Sequence, residues 1–190
     1  MPPRSGRHTS ILRQDDTLLV VLDMQEPFLK AIYEREQLVS NVSTLIQSLK
    51  ILRIQIVPTQ QNTEKMGHTI LEIKQKLPSL CMPYDKLTFS AWGDSTFVSE
   101  LHRSGKKQII LCGVEAHICV CQTALDILAN GFQVHVIADA VSSRTKSNWE
   151  AGLNKMEQNG VYISTTEMAI YELLGEAGTS EFKEILALVK

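Results

Sequence analysis

Cys119 is the residue best suited to covalent chemistry in this 190-residue chain. It stands where the turn Leu111-Cys-Gly-Val-Glu-Ala116 should give way to a helix whose apolar side includes Ala124, Leu125 and Leu128. A thiol in the first turn of a helix faces unpaired backbone N–H groups and the positive end of the macrodipole, and both favour the nucleophilic thiolate. The same N–H groups could hold the oxyanion formed when sulfur attacks a carbonyl. The competing reading is a buried structural cysteine, since free cysteine is often buried.

Asp23 is the second candidate. It follows the apolar run Thr17-Leu-Leu-Val-Val-Leu22 directly, so its carboxylate sits at the lip of the core. A buried carboxylate needs a cation, a hydrogen-bond network or a catalytic task, and beside a thiol it could act as general base. The alternative is an aspartate that bonds nearby backbone N–H groups in a turn. Lys86, by spacing alone, reads as an exposed lysine. The string His117-Ile-Cys-Val-Cys121 looks like a metal cluster, but on a helix Cys119 and Cys121 lie about 200° apart and cannot face one ion. His117 and Cys121 alone are too few for a four-coordinate site. Cys121 and the strand residue Cys112 read as core, and His117 as a capping or surface residue.

The elements that must position these residues follow one pattern. The run 17–22 suits a strand covered on both faces, and residues 36–52 carry apolar side chains at helical spacing. Ile54-Gln-Ile-Val57 reads as a second strand closed by Pro58 and the polar stretch 59–63. Three times thereafter a helix ends near a glycine (Gly105, Gly131, Gly160) and a short apolar strand follows. Two helices, near 167–174 and 180–189, finish the chain. Strands alternating with helices over short links argue for a parallel sheet with helices on both faces. Such sheets bind ligands beyond the carboxyl ends of their strands, where Asp23 and the segment 113–119 both emerge.

Composition narrows the function. Hydrophobic residues make up 44% and charged residues 21%, and the net charge is -2 with basic residues scattered. That argues against nucleic acid or an anionic membrane as partner. No run approaches the roughly 18 apolar residues of a membrane span. The first 15 residues faintly resemble a mitochondrial transit peptide but lack its length and amphipathic pattern, so they read as a frayed N-terminal extension. The four cysteines, with no export signal, indicate free thiols in the reducing cytoplasm.

Several segments together resemble the isochorismatase-like cysteine hydrolases, which include nicotinamidases and N-carbamoylsarcosine amidohydrolases. Leu19-Val-Val-Leu-Asp-Met-Gln-Glu-Pro-Phe28 resembles their first-strand motif, and Lys86-Leu-Thr-Phe-Ser-Ala-Trp92 their lysine segment. Gly113-Val-Glu-Ala-His-Ile-Cys-Val-Cys-Gln-Thr-Ala124 resembles the nucleophile segment, and Ala138-Asp-Ala-Val-Ser-Ser-Arg144 the one after the fifth strand. The resemblance implies a single three-layer α/β/α domain over residues 16–190 with a mainly parallel, six-stranded, doubly wound sheet. It also implies an Asp23, Lys86, Cys119 triad. A non-proline cis peptide is implied between Val114 and Glu115, with oxyanion donors near Ala116 and Cys119. Gln25, Phe28, Gln60 and Trp92 are candidate pocket walls.

One departure matters. Where nicotinamidases carry metal-binding histidines, this chain has Thr59-Gln-Gln-Asn-Thr63, and Gln60 and Gln61 are poor zinc ligands. His68 reads as a solvated loop residue. The stretch is similar to the isochorismatase domain-containing subgroup instead. True isochorismatases break a vinyl ether without a cysteine nucleophile, so Cys119 counts against that reaction as well. The expectation is a hydrolase that needs neither metal nor cofactor and cleaves an amide-like C–N bond of a small molecule. Thiol redox work by Cys119 and a non-enzymatic interaction module are the rivals. The apolar C-terminal residues, Ile170, Tyr171, Leu173, Leu174, Phe182, Ile185, Leu186, Leu188 and Val189, spread wider than one helical stripe. With the resemblance, they indicate a homo-oligomer, a dimer or larger.

Overall fold

The computed structural model describes residues 6–190; residues 1–5 of the expected N-terminal extension lie outside the described residues. Six strands form one sheet: β1 (Thr17–Leu22), β2 (Gln55–Gln61), β3 (Tyr84–Lys86), β4 (Gln108–Val114), β5 (Gln133–Ser142) and β6 (Tyr162–Ser164). Their order is β3-β2-β1-β4-β5-β6 and every pairing is parallel. The helices among the described residues are α1 (Glu26–Leu29), α2 (Arg35–Ile51), α3 (Thr63–Met66), α4 (Leu71–Lys74) and α5 (Ser95–Ser104). They continue with α6 (Cys121–Ala129), α7 (Lys146–Gln158), α8 (Thr166–Leu174) and α9 (Ser180–Val189).

The period of two along each strand sorts the core into two layers. Leu19 and Val21 of β1 face α2, α8 and α9, among Val42, Leu45, Ile170 and Ile185. Leu18, Val20 and Leu22 face the other side, among Phe97 of α5, Ile127 of α6 and Met156 of α7. Strand order reverses between β1 and β4, so the crevice beyond their carboxyl ends is where such a sheet opens a binding site.

Two expectations need correction. β2 does not stop at Pro58 but runs through it to Gln61, with Pro58 paired to Val21 of β1. The Asn62 N–H donates to Lys86 on the β3 side, so by alternation the missing donor of Pro58 also falls on that side. β3 pairs with β2 only from Thr59 onward, and the absent N–H therefore breaks no ladder bond.

The segment before β1 is not frayed in its described part. Arg7 donates to Glu172 O, Leu12 is fully buried, and the Gln108 amide donates to Thr9 O and Ile11 O. At the other end of the chain, Ile170, Leu173 and Ile185 are buried while Tyr171 stays exposed, edge-on to Phe182.

Candidate active site

Asp23 takes a left-handed backbone conformation, φ 53°, in the residue after β1. Aspartate tolerates this region better than most side chains. The turn directs the carboxylate across the end of β2, where Thr59 Oγ1 donates to Oδ1 at 2.7 Å. Lys86, the last residue of β3, reaches the other oxygen: Nζ to Oδ2 is 2.7 Å. Both side chains are 1% exposed, so this is a buried ion pair.

Such a pair is stable only when its remaining hydrogen-bonding capacity is also met. Lys86 Nζ donates further to Gln61 Oε1 at 2.6 Å and to the carbonyls of Thr88 and Phe89 at 3.3 and 3.2 Å. Lys86 is thus far from the exposed lysine its spacing suggests.

Cys119 arrives from the far side of the strand-order reversal. The Val114–Glu115 peptide after β4 is cis. Residues Ala116–Val120 then form a π-helical turn, with the N–H of Ile118 and of Val120 donating to Glu115 O. Two glycines make room for this turn. A Cβ on Gly113 would lie 2.0 Å from Leu22 O, and one on Gly152 of α7 would lie 2.9 Å from Ala116 O.

The charge state of the thiol differs from the sequence expectation. Burial, then the negative charge of Asp23 and a hydrogen bond with it, push Cys119 up to about 12. Lys86 and a backbone hydrogen bond from Glu115 oppose the shift without overcoming it. The resting group is a thiol rather than a thiolate, because a π turn beside a buried carboxylate replaces the exposed helix start that the sequence suggested.

Asp23 and Cys119 share the wall of a cavity of about 300 Å³. Pro27, Phe28, Ala31, Phe89 and Ile118 make its apolar sides, and Gln61, Glu115 and Arg144 its further polar groups. Lys86 is outside this lining, behind Asp23. A larger hollow of about 570 Å³ beside the N-terminal half of β2 holds none of these three residues.

Of the four wall residues expected from the sequence, Phe28 lines the cavity and three do not. Gln25 clamps backbone instead: its Nε2 donates to Gln61 O and Gly67 O, and its Oε1 accepts from the Gln61 N–H. Gln60 points away from Lys86, donating to Thr69 Oγ1 at 2.8 Å, with His68 Nδ1 at 3.4 Å from its oxygen. Trp92 packs edge-on to His102 and Phe132. Val114 and Glu115 border the cavity, and Ala116 is buried at the start of the π turn.

Thr59, Gln61, Arg144 and the Glu115 side chain were missed as site groups. Reading β2 four residues further, through Pro58 to Gln61, would have found the first two. Alternation along a strand sends Thr59 and Gln61 to one side and Gln60 to the other.

The other thiols are not at the site. All four cysteines are free; Cys112 and Cys121 are buried, and Cys81 donates to Ile56 O at 3.0 Å. His117 bonds Ser143 Oγ at 2.9 Å and approaches Glu115. Among the described residues no group of three or more His, Cys, Asp or Glu is placed to hold a metal ion. Nor is any helix among them long and apolar enough to cross a membrane.

The isochorismatase domain model matches residues 17–168, and the chain belongs to this family of hydrolases. It is 36% identical over 182 residues to a secreted isochorismatase effector, Isc1, of Phytophthora sojae, covering 92% of this chain and 84% of the relative. It is 38% identical over 176 residues to isochorismatase domain-containing protein 2 of Bos taurus, covering 92% and 83%. Among solved structures it is similar to a MAR1 ribonuclease of Caenorhabditis elegans, with 33% identity, a TM-score of 0.89, and 94% and 91% of the two chains covered. The fold is also that of the YcaC product of Escherichia coli, described as an octameric hydrolase of unknown specificity. That likeness has a TM-score of 0.89 at 22% identity and covers 96% and 92% of the chains.

Proposed function

We propose that the chain hydrolyses an amide-like C–N bond of a small molecule through a thioester on Cys119. One observation carries the reading: Asp23, held by its buried ion pair with Lys86, lines the same small cavity as the Cys119 thiol. On attack, the Cys119 proton passes to Asp23 as sulfur bonds the carbonyl carbon. Backbone N–H groups of Ala116 and Cys119 receive the oxyanion, and Lys86 steadies the charge shared by Asp23 and Cys119. Asp23 then gives the proton to the departing nitrogen, and the C–N bond breaks. Water, deprotonated by Asp23, cleaves the thioester to the acid and restores the thiol.

The raised pKa of Cys119 suits this scheme. A neutral thiol beside a carboxylate held by Lys86 is ready for proton transfer in step with attack. It does not suit peroxide chemistry, which draws on a standing thiolate. No metal role is assigned, because Gln60 and Gln61 fill the stretch where related amidases place metal-binding histidines, and both side chains are engaged in protein hydrogen bonds.

RNA cleavage, raised by the neighbour described as a ribonuclease, would call for unpaired cations to meet phosphate. Both cations at this site, Lys86 and Arg144, face carboxylates instead. The free thiols fit the cytoplasm. An oligomer is proposed on the exposed apolar side chains of α8, Met168 and Tyr171, and on the octameric state stated for YcaC.

A screen of small amides and ureas with mass spectrometry of the intact chain tests the reaction. An acyl adduct on Cys119 that is absent from Cys119→Ala supports the thioester. Turnover that survives in Cys119→Ala overturns it.

A further inference from the structure

The charges around the cavity cancel pair by pair. Asp23 is matched by Lys86 at 2.7 Å, and Glu115 by Arg144, whose Nε lies 3.0 Å from Oε1 and 3.2 Å from Oε2. The Glu115 side chain is 9% exposed while that of Arg144 is 54% exposed, so the carboxylate is the fixed member and the cation lies over it from the mouth. His117 Nε2 is 3.6 Å from the same carboxylate, and its other nitrogen is engaged by Ser143. Apart from the Cys119 thiol, the rest of the lining is apolar or an amide: Pro27, Phe28, Ala31, Phe89, Val114 and Ile118, with Gln61.

A charged ligand entering here gives up its water and finds each opposite charge already neutralised. It must break a protein ion pair or stay unpaired among apolar walls, and both are costly. An uncharged ligand with a compact apolar body meets neither obstacle.

Resting on the thioester reading above, we infer that the pocket takes small uncharged amides with an apolar acyl body, and that Glu115 sets this selectivity by occupying Arg144. Arg144 by itself would be a receptor for carboxylate, since a guanidinium fork matches that group well. Glu115 converts it into a neutral part of the wall. Glu115 is here a specificity-determining residue and takes no part in the reaction.

The test uses the full-length chain and two alkylating probes that differ only in charge, iodoacetamide and iodoacetate. Each forms the S–C bond at Cys119 with loss of iodide and the thiol proton. Rates are read at the Cys119 peptide by mass spectrometry, which separates it from the more accessible Cys81. The ratio is compared with that of N-acetylcysteine under the same conditions.

The expected result is a preference for iodoacetamide at least about tenfold beyond that of the free thiol. Glu115→Gln, which frees the guanidinium, should cut this preference by about threefold or more, chiefly by accelerating iodoacetate. Arg144→Gln, at a mostly exposed side chain, should move it the opposite way and serves if the Glu115 variant fails to fold. A wild-type ratio equal to that of the free thiol overturns the selectivity. An unchanged or same-direction response in the two variants overturns the role of Glu115. Because alkylation needs no turnover, a chain that hydrolyses no amide still reveals whether the pocket selects by charge, and that loss counts against the hydrolase reading alone.

Discussion

The Thr59 hydroxyl donates to Asp23 Oδ1 at 2.7 Å while Lys86 holds Oδ2 at the same distance. The carboxylate is therefore fixed from two strands, β2 and β3, before any substrate enters. Cys119 comes from neither strand, so the carboxylate and the thiol reach the site on opposite sides of the strand-order reversal.

Thr59→Val keeps the shape of the side chain and removes its donor. A hydrogen bond to a charged group is worth roughly 1.5–3 kcal/mol, so kcat should fall about tenfold to a hundredfold. KM should change by less than about threefold, because Thr59 does not line the cavity. Thr59→Ser, which restores the hydroxyl, should recover most of the loss. Steady-state kinetics on any amide found in the screen decides this, and a KM effect with normal kcat would count against it.

Lys86→Met leaves the Asp23 charge buried without its partner and should destabilise the fold by roughly 3–5 kcal/mol. Removing both charges in Asp23→Asn with Lys86→Met should return at least half of that loss. Urea unfolding of the three variants measures the coupling. Additive single effects would show that the pair does not act as a unit.

Alkylation of Cys119 by iodoacetamide should climb steadily with pH, about tenfold per unit between roughly pH 7 and 10, since the thiolate is the reactive form. No plateau should appear near 9, because burial and Asp23 push the thiol up to about 12. Asp23→Asn removes the repelling charge and leaves that of Lys86, so the plateau should move to lower pH. The folded thiol holds its proton more tightly than the unfolded one, so its stabilising effect is complete below about pH 9 and lost as pH rises toward about 12. Cys119→Ser should lessen the alkaline loss of stability in a series of melts.

Gly152→Ala adds a methyl group 2.9 Å from Ala116 O, a backbone atom that cannot swing aside. Alanine ordinarily favours a helix interior by roughly 0.5–1 kcal/mol over glycine. Here the π turn must shift instead, at a cost of about 1–3 kcal/mol. Cys119 alkylation and kcat should both change, while an exposed control, Glu157→Ala on the same helix, should leave both alone. A variant more stable than the wild type would show that the turn yields freely.

The framework of the fold was legible because periodicity reports burial directly. The run 17–22 coincides with β1, and the glycines expected to end helices do so at Gly105, Gly131 and Gly160 with positive φ. The end of β2 was not legible, since Pro58 and the polar residues after it resemble a loop. Those polar side chains are buried only because β3 and Asp23 come to meet them. Lys86 was recognised through resemblance alone, as no local pattern distinguishes a buried lysine from an exposed one. The pocket wall was the least readable part: Trp92 and Phe28 are both aromatic residues near a motif, and only their distant neighbours separate them.

Pro58 has one more consequence. β3 covers β2 only from Thr59 upward, which leaves the lower border of the sheet open on that side. An open border with free donors and acceptors invites strands from other molecules to add on. Along this one, Pro58 offers no donor and the Ile56 carbonyl already accepts from the Cys81 thiol. A proline that costs β2 no ladder bond thereby also discourages the chain from stacking, strand upon strand, into aggregates.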